Sequence, residues 1–263
     1  MSGARDPRLR ELGAFLRARR ADLHPDAADP AVGRRQVAGL RREEVAERAF
    51  ISREYYTRIE QGRIAPSRAT LDQLVVALAL DDDQARYARR LLAESGQGPP
   101  AEPRLRDHAV PPEPIGRLLV ALGGLPAMMI GPGTSILAWN DAAARMFIDF
   151  DRVPVERRTY VDLLFDDAVF QSRFRDLDAM RDVVVGVLRS TATAHAGADA
   201  GAELADRSVA FRERWRRFGV AQPRQQLGIP FRDPESGDIE VDQLVLGLED
   251  PAQRLLVYLR SGA

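Results

Sequence analysis

The side chains best placed to do chemistry lie between residues 41 and 63, where RREEVAERAFISREYYTRIEQGR sets apolar and charged positions at helical spacing. Val45, Ala46, Ala49, Ile51, Tyr56 and Ile59 fall on the inward faces of two short helices, and the small Ala46 lets those helices approach closely. Arg53, Glu54, Thr57 and Arg58 are left pointing outward on the second helix, with Tyr55 partly so. An arginine fork matches guanine O6 and N7, a glutamate accepts from cytosine N4, and a threonine methyl suits the thymine methyl, so the chemistry on offer is base reading in a major groove. Phosphates ask only for charge and donors. Arg42 at the start of the first helix, Ser52, Arg63, and Arg34 with Arg35 in the preceding loop are the natural backbone contacts. Glu54 and Arg58, four residues apart on one face, can also pair with each other, and the sequence leaves both readings open.

Enzymatic chemistry finds less support. His24, His108 and His195 sit in a loop, a proline-rich stretch and an Ala/Gly-rich stretch, with no partner at ligand spacing, so no metal site and no catalytic residues are expected. Asp162, Asp166 and Asp167 flank a helix start in LLFDDAVF, where capping explains them. An enzyme tethered to DNA would need a triad or metal cluster within residues 115–263, and the sequence provides neither.

The elements that must hold these groups can be traced along the chain. Leu9, Leu12, Leu16 and Leu23, with Phe15, mark one face of a first helix. Residues 24–39 carry too many Pro and Gly for a regular element. A second helix runs from Arg42 to Ala49, with Glu43 and Glu44 in its first turn, where the helix dipole favours negative charge. Phe50–Ile51 turns, and Ser52 caps a third helix ending at Gln61–Gly62, which completes a helix-turn-helix over residues 41–61. Leu71, Leu74, Val75 and Leu78 predict a fourth helix, and Asp81 with Gln84 forms a capping box for a fifth reaching about Ala93. Residues 1–94 are therefore expected to be a five-helix DNA-binding domain. SGQGPPAEPRLRDHAVPPEP, residues 95–114, reads as a stiff linker. Beyond it, residues 115–263 predict a hairpin of Met128–Ile130 and Ser135–Trp139, and a helix capped by Asn140 or Asp141. Helical pieces then cover 141–148, 160–190 and 207–218, and strands cover 224–231, 238–248 and 253–260. An antiparallel sheet of about five strands with helices over one face is the economical packing of that order.

Composition bounds the setting. The 263 residues suit two modest cores. Cysteine is absent, which argues against a disulfide framework. All 38 basic residues are arginine. Residues 1–70 hold 15 Arg against 10 Asp and Glu, a net of +5, whereas the whole chain is −1, leaving −6 for the rest. A basic front end before an acidic remainder fits a chain whose front meets phosphates. No apolar run approaches the roughly 20 residues that span a bilayer, and MSGARDPRLRELG lacks a signal peptide's apolar core, so a cytoplasmic protein without a membrane partner is expected.

GLRREEVAERA and ISREYYTRIEQGR, followed by PS and TLDQL, resemble the XRE-type helix-turn-helix regulators whose C-terminal half is an MmyB-like ligand-binding domain. The similarity continues through LAWND, FRERW, DPESGDIEVDQLVL and PAQRLLVYL. Phe50 departs from it by standing where a turn glycine is usual, which implies a different turn angle, and Asp233 stands where His often precedes Pro-Glu. The resemblance implies a lambda-repressor-like N-terminal domain, a PAS-like C-terminal domain, and a transcription regulator that binds a double-stranded operator as a homodimer. It also implies an apolar small molecule such as a fatty acid in the C-terminal domain, and no other cofactor. Met128, Met129, Ile130, Trp139, Phe147, Leu164, Phe165, Val184 and Leu188 stand where the sheet's inner face should meet its helices, and they read either as pocket lining or as plain core. Trp215 reads as core or as a dimer contact. The alternative to ligand response is constitutive DNA binding, with the C-terminal domain serving only to dimerise or to dock a protein.

Overall fold

The computed structural model describes residues 6–23, 39–96, 113–191, 196–250 and 252–262. It divides into two compact units, Met1–Pro99 and Pro100–Ala263.

The first unit is helical. Helix α1 is Pro7–Asp22, α2 Arg42–Arg48, α3 Arg53–Glu60, α4 Arg68–Ala77 and α5 Asp82–Glu94. Local signals set their starts. The Asp6 carboxylate accepts from the Arg8 amide, the Ser52 hydroxyl from Tyr55 and the Ser67 hydroxyl from Thr70, while Asp81 and Gln84 form the expected capping box. Leu12, Phe15, Leu16, Val45, Tyr56, Ile59, Leu71, Leu74 and Leu91 fill the core. Gly13 lets α1 cross the end of α3, because a Cβ there would lie 2.4 Å from the Glu60 carbonyl oxygen.

In the second unit, α6 (Glu113–Ala121) precedes a hairpin of β1 (Ala127–Ile130) and β2 (Ile136–Trp139). Helices α7 (Asp141–Met146), α8 (Tyr160–Asp166), α9 (Ala168–Gln171), α10 (Leu177–Thr191), α11 (Ala196–Arg207) and α12 (Val209–Arg216) follow. Strands β3 (Gln226–Asp233), β4 (Gly237–Gly247) and β5 (Arg254–Arg260) close an antiparallel five-stranded sheet in the order β2-β1-β5-β4-β3.

Three expectations need correction. The stretch assigned to the linker ends early, since Glu113 and Pro114 already belong to α6; a proline fits a helix's first turn because its missing amide has no partner there anyway. The rest of that stretch, from residue 97 to 112, lies outside the described residues. Residues 196–207 form a helix despite their glycines. Helices also do not cover one face alone. Side chains of adjacent strand residues alternate, so Met128, Leu256 and Tyr258 pack among the aromatic residues of the helices, whereas Ala127, Met129, Leu255 and Val257 pack on the other face with Leu119 of α6. Leu255–Tyr258 is buried throughout, as the two-sided cover requires.

Asn140 joins these layers. Its Oδ1 accepts from the amides of Ala143 (3.0 Å) and Ala127 (3.1 Å), and its Nδ2 donates to the carbonyls of Leu125 (2.8 Å) and Leu119 (3.2 Å). One amide thereby caps α7, anchors β1 and holds the end of α6.

Candidate functional site

Helices α2 and α3 meet as the sequence pattern requires. Val45, Ala46, Ala49, Tyr56 and Ile59 are buried, and Ile51 is half-buried. Arg53, Glu54, Arg58 and Arg63 are exposed, Tyr55 and Thr57 half-buried. Among the described residues no ion pair engages Arg53, Glu54, Arg58 or Arg63, so the Glu54–Arg58 pair is not formed. The Thr57 hydroxyl donates to the Arg53 carbonyl at 2.8 Å, which leaves its methyl as the contact group. Ser52 spends its oxygen on the Tyr55 amide. Arg34 and Arg35 lie outside the described residues, as do His24, His108 and His195.

The turn between the helices closes through Phe50, whose amide donates to the Glu47 carbonyl while that of Ile51 donates to Ala46. Phe50 takes the left-handed conformation (φ 54°) that a glycine would adopt there, with its ring 86 % exposed. The turn therefore keeps the glycine conformation, at a cost of about 1–2 kcal/mol for a residue with a Cβ.

Arg42 is not a free surface cation. Its Nε donates to Glu60 Oε2 at 2.6 Å, and Arg20 Nε donates to Glu60 Oε1 at 2.7 Å. Arg20 also reaches the Leu40 carbonyl, and Arg17 reaches the Glu60 carbonyl. Glu60, 1 % exposed, thus clamps α1, α2 and α3. Burial pushes its carboxyl up, but the hydrogen bonds from Arg20 and Arg42 outweigh that and hold it below the ordinary value of 4.5. Burial, reinforced by the charge of Glu60, raises the neighbouring Tyr56 phenol far above its usual range. A guanidinium carries five N–H donors, so Arg42 anchored through Nε keeps others for a phosphate. The sequence reading missed Glu60. The signal was a carboxylate at the dipole's unfavourable end of α3, on the face shared by Tyr56 and Ile59.

Eight of the nine residues considered for a pocket lie on the sheet face covered by α7–α12, in the cluster of Phe147, Phe170, Phe174 and Phe231; Met129 lies on the α6 face. Trp139 packs on Phe150 and under the Arg158 guanidinium, and Trp215 stacks on Phe211 and on Arg189, 3.7 Å from the ring centre. None of the nine lines the cleft of about 540 Å³ that opens between α7, the segment Gly124–Pro126 and the β3–β4 hairpin. That cleft combines Met146, Ile239, Val241 and Tyr258 with Arg145, Asp233, Glu235, Asp242 and Arg260. Asp233 sits 3.6 Å from Arg260 and accepts from the Ser236 amide. Asp242 accepts from Ser261 and from the Gly228 amide, which together hold its carboxyl below the ordinary range.

The acids expected to act as caps divide. Asp167 caps α9 through the Phe170 amide, whereas Asp162 pairs with Arg207 (2.6 Å) and Asp166 with Arg157 (2.6 Å), because basic side chains from outside the helix reach them. Among the described residues no cluster of His, Cys, Asp or Glu could hold a metal ion, and no helix is long and apolar enough to cross a membrane.

Two families match the chain. One, described as a helix-turn-helix domain, matches residues 11–88; the other, described as an MmyB-like transcription regulator ligand binding domain, matches residues 110–261. A search among curated proteins returned no match.

Proposed function

The chain belongs to the MmyB-like transcription regulators, and from that premise we propose that it is a sequence-specific operator-binding homodimer, acting in the cytoplasm, whose affinity responds to a fatty-acid-like molecule in its C-terminal unit. The observation that carries the DNA-reading half is the recognition helix itself. Arg53, Glu54 and Arg58 are exposed and form no ion pair among the described residues, so their donors and acceptors are available to base edges. Tyr55 and the Thr57 methyl complete the reading face. Arg42, Ser52 and Arg63, with Arg34 and Arg35, take the phosphates and fix register without specifying sequence. Two such faces in a dimer read half-sites about 34–36 Å apart.

Asn140 supports the ligand half of the proposal. It ties α7, a wall of the 540 Å³ cleft, to α6, the first described element after the proline-rich stretch. A ligand that favours one placement of α7 over another thereby biases α6, and with it the spacing of the two reading faces. Selection of an operator from random duplexes by the full chain, followed by gel-shift titration with decanoate and with a total lipid extract, tests both halves. A recovered site with two related half-sites, and a shifted midpoint with either additive, is the expected result. A recovered site with a midpoint indifferent to both favours constitutive binding with a docking or dimerising C-terminal unit. The observation on that side is the exposed apolar flank of α6, where Val120 is 80 % and Leu118 40 % exposed.

A further inference from the structure

Helix α6 is apolar on both sides. Ile115, Leu119 and Leu122 pack on the sheet, whereas Leu118, Val120 and Ala121 are left exposed, as is Leu125 just past the helix. On the same sheet face, Leu244, Leu246 and Leu248 alternate along β4 and just beyond it; Leu244 and Leu248 pack against the α6 cluster, and Leu246 between them stays exposed. The other large apolar residues exposed in this unit, among those described, are Val155, Val169, Val209 and Leu227, which stand on four separate segments. Charge is as uneven. From Ile115 to Leu125 the sequence has one charged residue, Arg117, in a chain that is 29% charged. Trp215, which the sequence offers as a dimer contact, has its ring spent within the unit: it stacks on Phe211 and Arg189 and lies against Gly201, where a Cβ would come within 2.6 Å of the indole.

We infer that this flank, Leu118, Val120 and Ala121 with Leu125 and Leu246, is where a second copy of the chain docks, α6 against α6 about a two-fold axis. This rests on the homodimer reading above and adds to it the contact surface; it holds whether or not a ligand shifts operator affinity. A two-fold contact sets each charge near the axis against its own copy, so a surface that pairs with itself must be charge-poor, as residues 115–125 are. Residues 71–263 carry a net of −6, which opposes the approach of two copies, and opposes it least at this stretch. Chain length fits the same occupant. Residues 97–112 join Gly96 to α6, and a segment of that length bridges up to about 50 Å. Reading faces on half-sites about 34–36 Å apart lie roughly 17 Å on either side of the operator dyad, so an α6 pair on that axis leaves both within reach.

Sedimentation equilibrium of the full chain across a concentration series tests the inference. The wild type is expected to dimerise. Val120→Glu and Val120→Lys each set like charges against each other near the axis, and each should weaken the dimer at least about thirtyfold. An equimolar mixture of the two should dimerise again, because the charges then oppose. That recovery also shows that both variants fold. Val209→Glu, at an exposed position on α12, should leave the dimer as it is. A dimer that both Val120 variants leave intact, a mixture no more dimeric than its components, or a dimer that Val209→Glu weakens as much overturns the α6 face and leaves the homodimer standing. A wild type that stays monomeric, alone and on its selected operator, overturns both. Monomeric Val120→Glu that still occupies two half-sites with wild-type affinity keeps the face and instead overturns the paired reading of the operator.

Discussion

Glu60 decides how the DNA-binding unit behaves at the scale of single residues. Its carboxylate holds Arg20 and Arg42 in place, so removing the charge leaves two guanidinium groups without their anion, one of them well buried. Glu60→Gln should cost about 2–4 kcal/mol in calorimetric unfolding of the N-terminal unit, less than a fully buried pair because Arg42 is partly exposed. The folded-state carboxyl is held below its ordinary 4.5, so ionised Glu60 adds stability that is whole above that pH and is lost as pH falls below it. The variant should lack that loss, and a wild-type transition that does not move between pH 5 and pH 3 contradicts the clamp. Arg42→Ala should weaken binding to every duplex alike and lower the salt dependence, since in the proposed reading it contacts phosphate and not bases. A loss confined to the operator contradicts that role.

Elements show both what their residues announce and what they conceal. Asn140→Ala strands four backbone groups at the junction of α6, β1 and α7, and should destabilise the C-terminal unit by about 2–4 kcal/mol, followed by fluorescence of Trp139 and Trp215. Phe50→Gly relieves the left-handed strain while giving up almost no packing, and should raise the stability of the N-terminal unit by up to about 1 kcal/mol. A fall in stability shows that the exposed ring has a partner. Caps such as Ser52, Asp81 with Gln84, and Asn140 were legible because a cap and the amide it serves lie within three residues. Helix α6 was hidden by Pro114, which reads as linker, and α11 by its glycines, so the second cover of the sheet went unseen. The exposed face of α3 was legible because periodicity alone sorts inside from outside. Glu60 was not, because its partners lie 18 and 40 residues away, and the cleft was not, because its walls come from residues 124–146 and 233–262.

The whole molecule joins a basic helical reader to an acidic sheet domain within one family of transcription regulators. In the proposed division of labour the first unit supplies the bases' partners and the second supplies a condition on their use. The comparison that tests this most directly is equilibrium binding of the wild-type chain and Arg58→Ala to the selected operator and to a scrambled duplex at one salt concentration. The wild type should prefer the operator by about a thousandfold or more. Arg58→Ala should lose about 1–3 kcal/mol on the operator and little on the scrambled duplex. Equal losses on both duplexes, or a wild type without preference, contradict a recognition helix that reads sequence.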